Sequence, residues 1–209
     1  MKYEDPEDIQ KYIWCMKEIK HRTDVISNFL DGKKTTGQLP TDMEFVALQF
    51  RKVLELIVLA SISANREAYS QSRKYFYGDW NGKRILEDLG KVNPKFYPEP
   101  GKQILNNKTD RVIKLEKINE EYHTQELFVK VYDRSSELLH SFNPYSPYPN
   151  PEEIMKNEFP KWKGWIINLL NHHQIQLVDS DKQLWVVMRT KGDEQVHVFE
   201  MQQTDSLKK

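Results

Sequence analysis

Residues 45–62 read FVALQFRKVLELIVLASI. Apolar side chains fall on nearly every side of this stretch (Phe45, Val46, Leu48, Phe50, Val53, Leu54, Leu56, Ile57, Val58, Leu59), the pattern of a helix surrounded by protein. Arg51 and Glu55 interrupt it at i,i+4 spacing, where opposite charges pair and reduce the cost of lying close to a core. A chain organised around such a helix is mainly α. Just upstream, Thr41-Asp42-Met43-Glu44 matches a capping box, with the Thr41 hydroxyl accepting from the Glu44 amide, so the helix is expected to begin at Thr41.

Working outward, Asp5-Pro6 is a helix start and Asp31-Gly32 a helix stop, which predicts a first helix over Pro6–Leu30. Residues 66–77 continue as polar helix or loop, and Asp79 is placed to cap a helix over 80–89 that Gly90 ends. The run KVNPKFYPEPG at 91–101 has three prolines, so it crosses the surface in extended form, anchored by Phe96 and Tyr97. Residues 103–105 and 112–115 flank a turn-like segment and read as a short hairpin. A long helix is expected over 119–140, stopped by Asn143-Pro144 and the Pro/Tyr-rich run after it.

Asn150-Pro151 opens another helix, in which Trp162, Trp165, Ile166, Leu169 and Leu170 fall at helical spacing and Pro160 marks an irregularity. An aromatic stripe of this kind is core. Beyond His172-His173 the period changes to two over 175–178, 184–189 and 195–201, the signature of a small antiparallel meander. The expected fold is mainly α: a helical bundle over 1–145 with a short β-hairpin insertion, then 146–209 as a helix plus three-stranded meander packed on the bundle (α+β).

Composition narrows the function classes. Lys plus Arg equals Asp plus Glu at 31 each in 209 residues, so no overall field draws the chain to nucleic acid or an anionic membrane. Any nucleic-acid site has to be a local patch. Five Trp, ten Tyr and nine Phe provide the apolar area of a globular core despite 30% charged residues. The single cysteine, Cys15, excludes an intrachain disulfide and lies in an apolar run, which predicts packing rather than reactivity. The acidic start MKYEDPEDIQ lacks the apolar core of a signal peptide. The apolar stretch 53–62 falls far short of the ~20 residues that span a bilayer. A cytoplasmic protein without membrane partners is expected.

The most informative chemistry lies in residues 127–140. On a wheel at ~100° per residue, Leu127, Phe128, Val131, Tyr132, Leu138 and Leu139 share one side. Lys130, Asp133, Glu137 and His140 share the other, with Ser136 beside them and Arg134 at the border. Residues 134–140 spell RSSELLH, an Arg and a His separated by five residues. This resembles the R-x(4–6)-H motif of the HEPN superfamily, helical bundles that include many metal-independent ribonucleases of toxin–antitoxin and anti-phage systems. The wider YDRSSELLHSFNP, the helix at 50–57 and the Asn-Pro-x-Phe-Tyr-Pro segment at 93–98 are similar to uncharacterised bacterial HEPN-like proteins. The resemblance covers roughly residues 10–145 and leaves the meander unexplained. Where the motif usually has Asn, Asp or His after the Arg, this chain has Ser135.

The resemblance implies an endoribonuclease. His140 would exchange a proton with the ribose 2′-OH or the leaving 5′-oxygen, and Arg134 would hold the scissile phosphate through its fork of donors. Asp133, Ser136, Glu137 and Asn143 would support them. Neither metal nor cofactor would be required. On a regular helix, however, residues six apart point about 120° away from each other. Either His140 lies in a frayed last turn, or two protomers pair so that the Arg of one approaches the His of the other; a homodimer is the favoured arrangement. The plainer reading makes His140 a helix C-terminal residue stabilised by the macrodipole or by Glu137 or Asp133, with Arg134 snorkelling at the edge. The chain would then be a non-catalytic HEPN-like module, such as a defence-complex subunit or antitoxin-like partner.

Other motifs are weaker. His172-His173 with Asp179 and Asp181 lacks tetrahedral ligand spacing, so no metal is expected. There is no Gly-rich phosphate loop. Arg73, Lys74, Lys83 and Arg84 flank Tyr75, Phe76, Tyr77 and Trp80, and basic residues among aromatics can hold phosphates and stack bases. Arg73, Lys74, Tyr77, Lys83, Arg84 and Lys130 are therefore the candidate RNA contacts, the alternative being a solvated face over core aromatics.

Overall fold

A computed structural model describes residues 6–72, 81–105, 112–118, 124–178, 181–189 and 193–202. Helix α1, Pro6–Leu30, and helix α2, Leu39–Ala64, form the first hairpin, their facing rings Phe29 and Phe45 lying 4.7 Å apart. The first helix stops where Asp31-Gly32 predicts. Gly32 takes φ +69°, which only glycine adopts without strain, and the Asp31, Gly32 and Lys33 amides close onto the Ser27, Phe29 and Asn28 carbonyls.

The second helix begins two residues earlier than the capping box predicts. Gln38 occupies the N-cap without a side-chain bond, Pro40 sits in the first turn, and the Thr41 hydroxyl donates to the Gln38 carbonyl at 2.9 Å. Asp42 does the tethering instead, accepting from the Thr36 amide (2.6 Å) and the Thr35 and Thr36 hydroxyls (2.8 and 2.9 Å). Burial works to raise the Asp42 pKa, but these bonds outweigh it and hold the carboxyl below its ordinary value.

Around α2 the core assembles as the apolar pattern requires. Met43, Val46, Phe50, Val53, Leu54 and Ile57 are fully buried, and Phe50 meets Phe159 and Trp162 with ring centroids 5.3 Å away in both cases. The envelope is incomplete along one line, since Leu48 is exposed and Leu59 half-buried. Cys15 is buried and unpaired.

At Asn65 the chain breaks and restarts as α3, Arg66–Ser72. This segment is less polar in its packing than its sequence predicts, because Tyr69 is fully buried. Helix α4, Gly82–Val92, is capped by Asn81, whose side chain accepts from the Arg84 amide at 3.1 Å. Asp79, the expected cap, lies outside the described residues. The helix also runs through Gly90, because Asn93 three residues past it supplies the stop. Asn93 is buried: its amide donates to Asn65 Oδ1 (2.9 Å) and to the Gln176 carbonyl (2.8 Å), tying the α2 end to the sheet. Phe96 and Tyr97 are buried anchors, as expected.

Strands β1, Glu99–Leu105, and β2, Val112–Lys117, form the predicted hairpin. Strands β3, His172–Gln176, β4, Lys182–Val187, and β5, His197–Gln202, form the predicted meander. The two are not separate. Glu99 pairs with Gln174 and Pro100 with His173, so one antiparallel sheet in the order β2-β1-β3-β4-β5 joins strands from the middle of the chain to those near its C-terminal end. Its inner positions, His173, Ile175, Leu184 and Val186, alternate with half-exposed ones, as period two demands.

Helix α5, Gln125–Glu137, starts at Thr124, whose hydroxyl accepts from the Leu127 amide; residues 119–123 of the expected helix lie outside the described residues. Asn150 then caps α6, Pro151–Glu153. A π-helical turn, Ile154–Glu158, leads into α7, Phe159–Leu170. The π-turn is the irregularity expected from Pro160. Proline cannot donate to the carbonyl one turn back, and a wider turn relieves that defect locally. Among the described residues, no helix is long and apolar enough to cross a membrane.

Candidate active site at the end of α5

Helix α5 buries Phe128, Val131, Tyr132 and Ser135, and Leu138 beyond it. Spacings of three and four residues continue through Ser135, which the wheel left off the inner side; its hydroxyl satisfies itself on the Tyr132 carbonyl at 2.8 Å. Leu139, expected inside, is exposed. The cause is the way the helix ends. After Glu137 the amides of Leu139 and His140 bond three residues back, to Ser136 and Glu137, rather than four. Such a turn is tighter than the α-helix before it, so Leu139 and His140 no longer hold the angular positions that a constant pitch of ~100° assigns them. His140 is exposed at this end, outside the regular helix.

His140 thus lies in a frayed last turn, and the other motif residues already have partners. Arg134 is half-buried and forks onto Glu158, from Nε to Oε2 (3.3 Å) and from Nη2 to Oε1 (3.2 Å), with Nη1 on Glu137 at 3.2 Å. The hydrogen bond to Glu158 raises the already high Arg134 pKa, with Glu137 adding to it against partial burial. Asp133 accepts both oxygens' worth of contact from Lys83 Nζ, 2.8 Å each. Asn143 shapes its own turn, its side chain accepting from the Tyr145 amide at 2.9 Å and its carbonyl from Ser146. That turn projects Tyr145, 95% exposed, a few residues from His140.

Ser136 belongs to a different cluster. Its hydroxyl accepts from Arg51 Nη1 and donates to the Tyr132 carbonyl at 2.7 Å. Arg51 Nη2 donates to the Tyr132 hydroxyl (2.6 Å), its Nε to Glu55 (3.1 Å), and its guanidinium carbon lies 4.1 Å from the Tyr132 ring centroid. The Gly82 amide donates to the same hydroxyl at 3.2 Å, and a Cβ at Gly82 would come within 2.9 Å of Tyr132 Cε2. The Arg51–Glu55 pair read from sequence is therefore the hub joining α2, α4 and α5. Ser136 and Tyr132 were not legible as its neighbours; only the charges inside an otherwise apolar helix signalled that a polar partner had to exist.

Of the candidate RNA contacts, Lys130 and Arg84 are exposed, Lys83 is held by Asp133, and Arg73, Lys74 and Tyr77 lie outside the described residues. Comparison with protein-family models, curated proteins and solved structures finds no match.

The His172-His173 pair diverges. His173 is buried, with Nδ1 2.8 Å from the Leu170 carbonyl and Nε2 2.6 Å from the Tyr12 hydroxyl. A carbonyl only accepts, so Nδ1 carries the proton, Nε2 is bare, and Tyr12 donates to it. Burial lowers the His173 pKa to about 4. Among the described residues no three His, Cys, Asp or Glu side chains converge as metal ligands.

Proposed function

We propose that this chain is a HEPN-like, metal-independent endoribonuclease of the toxin or anti-phage class, acting in the cytosol. His140 serves as general acid/base and Arg134 holds the scissile phosphate. The observation that supports this reading is the tightened turn after Glu137, which ends the regular helix before His140 and leaves that residue exposed at the end of α5 that carries Arg134. A neutral imidazole there can take the 2′-OH proton as that oxygen attacks phosphorus, and the imidazolium then protonates the departing 5′-oxygen. Arg134 would exchange the Glu158 carboxylate for a phosphate, since both accept the same two-pronged donation. Pairing of two protomers across this end would bring two such sites together.

The test is RNA cleavage and growth arrest by wild type beside His140→Ala and Arg134→Ala, each verified as folded. Cleavage lost in both variants is expected. Wild type inert toward RNA, or variants as active as wild type, would end the reading.

A second reading is favoured by a specific observation: Arg134, Asp133 and Ser136 are each engaged by another side chain, Glu158, Lys83 and Arg51. Residues with such structural roles fit a HEPN-like module that binds a protein partner without cleaving RNA. A stoichiometric partner that masks His140 in pull-downs from the native host, together with absent cleavage, would select it.

A further inference from the structure

Away from α5, a cavity of about 130 Å³ opens between α1, α7 and the end of β4. Its floor is apolar, formed by Ile19, Ile166, Leu170 and Met188, all buried. Its mouth is charged. Lys20, whose side chain is only 15% exposed, places Nζ 2.7 Å from a Glu194 carboxylate oxygen and also donates to the Glu194 carbonyl. Arg189 reaches the same carboxylate oxygen from the other side, Nε at 3.1 Å, while its Nη2 is fixed by Asp24 at 2.8 and 3.0 Å.

One carboxylate is therefore gripped by two cations above an apolar recess, and it belongs to a side chain that is itself 73% exposed. Glu194 gains no packing from the position; what it supplies is negative charge. Without it the mouth would carry Lys20 and Arg189 against Asp24 alone. Two cations converging on one anion beside an apolar floor is the arrangement that recognises a small acid: the floor takes the body and the clamp takes the carboxylate. The volume sets the size of that body, being close to the ~150 Å³ of an apolar cavity that admits a benzene ring.

We propose that this cavity binds a small monocarboxylate with an aromatic or branched apolar body, and that Glu194 stands in for its carboxylate when the site is empty. The ligand's carboxylate replaces that of Glu194 between Lys20 and Arg189, and its body displaces water from the recess beside Ile19 and Met188. The site is remote from the α5 end in sequence and shares no residue with it, so it stands whether or not the chain cleaves RNA.

The probe is phenylacetate, titrated against the full chain and followed by thermal stabilisation, with acetate and benzyl alcohol as the charge-only and ring-only controls. Stabilisation by phenylacetate well above either control is expected. Glu194→Gln, which removes the internal competitor, should tighten the apparent Kd about five-fold, the worth of an exposed ion pair. Lys20→Met, which keeps the stem and removes the charge, should weaken it by at least as much. Ser27→Leu, which fills the recess from α1, should abolish it. No stabilisation of either wild type or Glu194→Gln, equal effects of acetate or benzyl alcohol, or binding unchanged in both Lys20→Met and Ser27→Leu would each overturn the proposal.

Discussion

Lowering the pH should cost this protein stability well before its carboxylates titrate, through His173. The folded imidazole sits between the Leu170 carbonyl and the Tyr12 hydroxyl, no acid among the described residues hydrogen-bonds it, and burial lowers its pKa from 6.5 to about 4. The unfolded chain binds a proton near pH 6.5, so between pH 6.5 and 4 the unfolded state holds more protons than the folded one and stability falls as pH falls. The full span of two and a half pH units corresponds to about 3 kcal/mol, and about 2 kcal/mol is already lost by pH 5. For a chain of this length that is a fall in Tm of roughly 4–8 °C. Above pH 6.5 the contribution is complete and constant. Burial also lowers the pKa of half-exposed His172, in the same sense, so the decisive quantity is a difference. Wild type and His173→Gln, which cannot titrate, are unfolded thermally or with urea at half-unit intervals from pH 7.5 to 5. The variant should start less stable and lose much less on acidification. Parallel curves would refute the buried neutral imidazole.

Other expectations follow from the same contacts. Gly82→Ala places a methyl 2.9 Å from the Tyr132 ring, backed by Arg51, so urea unfolding should show a loss of about 1–3 kcal/mol. Asn93→Ala strips the partners from Asn65 Oδ1 and the Gln176 carbonyl in a buried position and should cost about 1–3 kcal/mol, with faster amide exchange where β3 joins the α2 end. Burial pushes the Cys15 thiol up to about 12. A thiol reagent at pH 8 should therefore label it only as fast as the chain opens, and rapid stoichiometric labelling of native protein would contradict the packing. Phe50→Ala removes the ring that Phe159 and Trp162 pack on and should cost about 3–5 kcal/mol by calorimetry or denaturant.

Local signals were read well where the responsible group is local. Pro6 and Gly32 bound α1 because a fixed φ and a positive φ act on their own residues. Asn150 caps its helix, and the meander has the three strands that period-two alternation predicts, though β3 begins three residues early, at His172, and β4 two residues early, at Lys182. The Thr41 capping box failed because Asp42 found better donors in Thr35 and Thr36, a loop whose path the helix pattern cannot anticipate. Ser135 is buried because the three- and four-residue spacing of Phe128, Val131 and Tyr132 continues through it, whereas Leu139 is exposed where the last turn of α5 tightens, which a wheel of constant pitch cannot register.

By itself the sequence determined a mainly helical chain around residues 45–62, a hairpin and a meander, and an Arg134…His140 motif at the end of a helix. Those follow from periodicity, turn chemistry and spacing, which are properties of neighbours along the chain. Only the tertiary structure decided that hairpin and meander share one sheet, that Arg51 rather than Arg134 is the hub of the α5 contacts, and that Arg134 faces Glu158. Each of these depends on groups far apart in sequence, from 24 residues for Arg134 and Glu158 to 85 for Arg51 and Ser136. Charge and hydrogen bonding are satisfied by whichever partner the packed core brings within 3 Å or so, and nothing in the local pattern names that partner in advance.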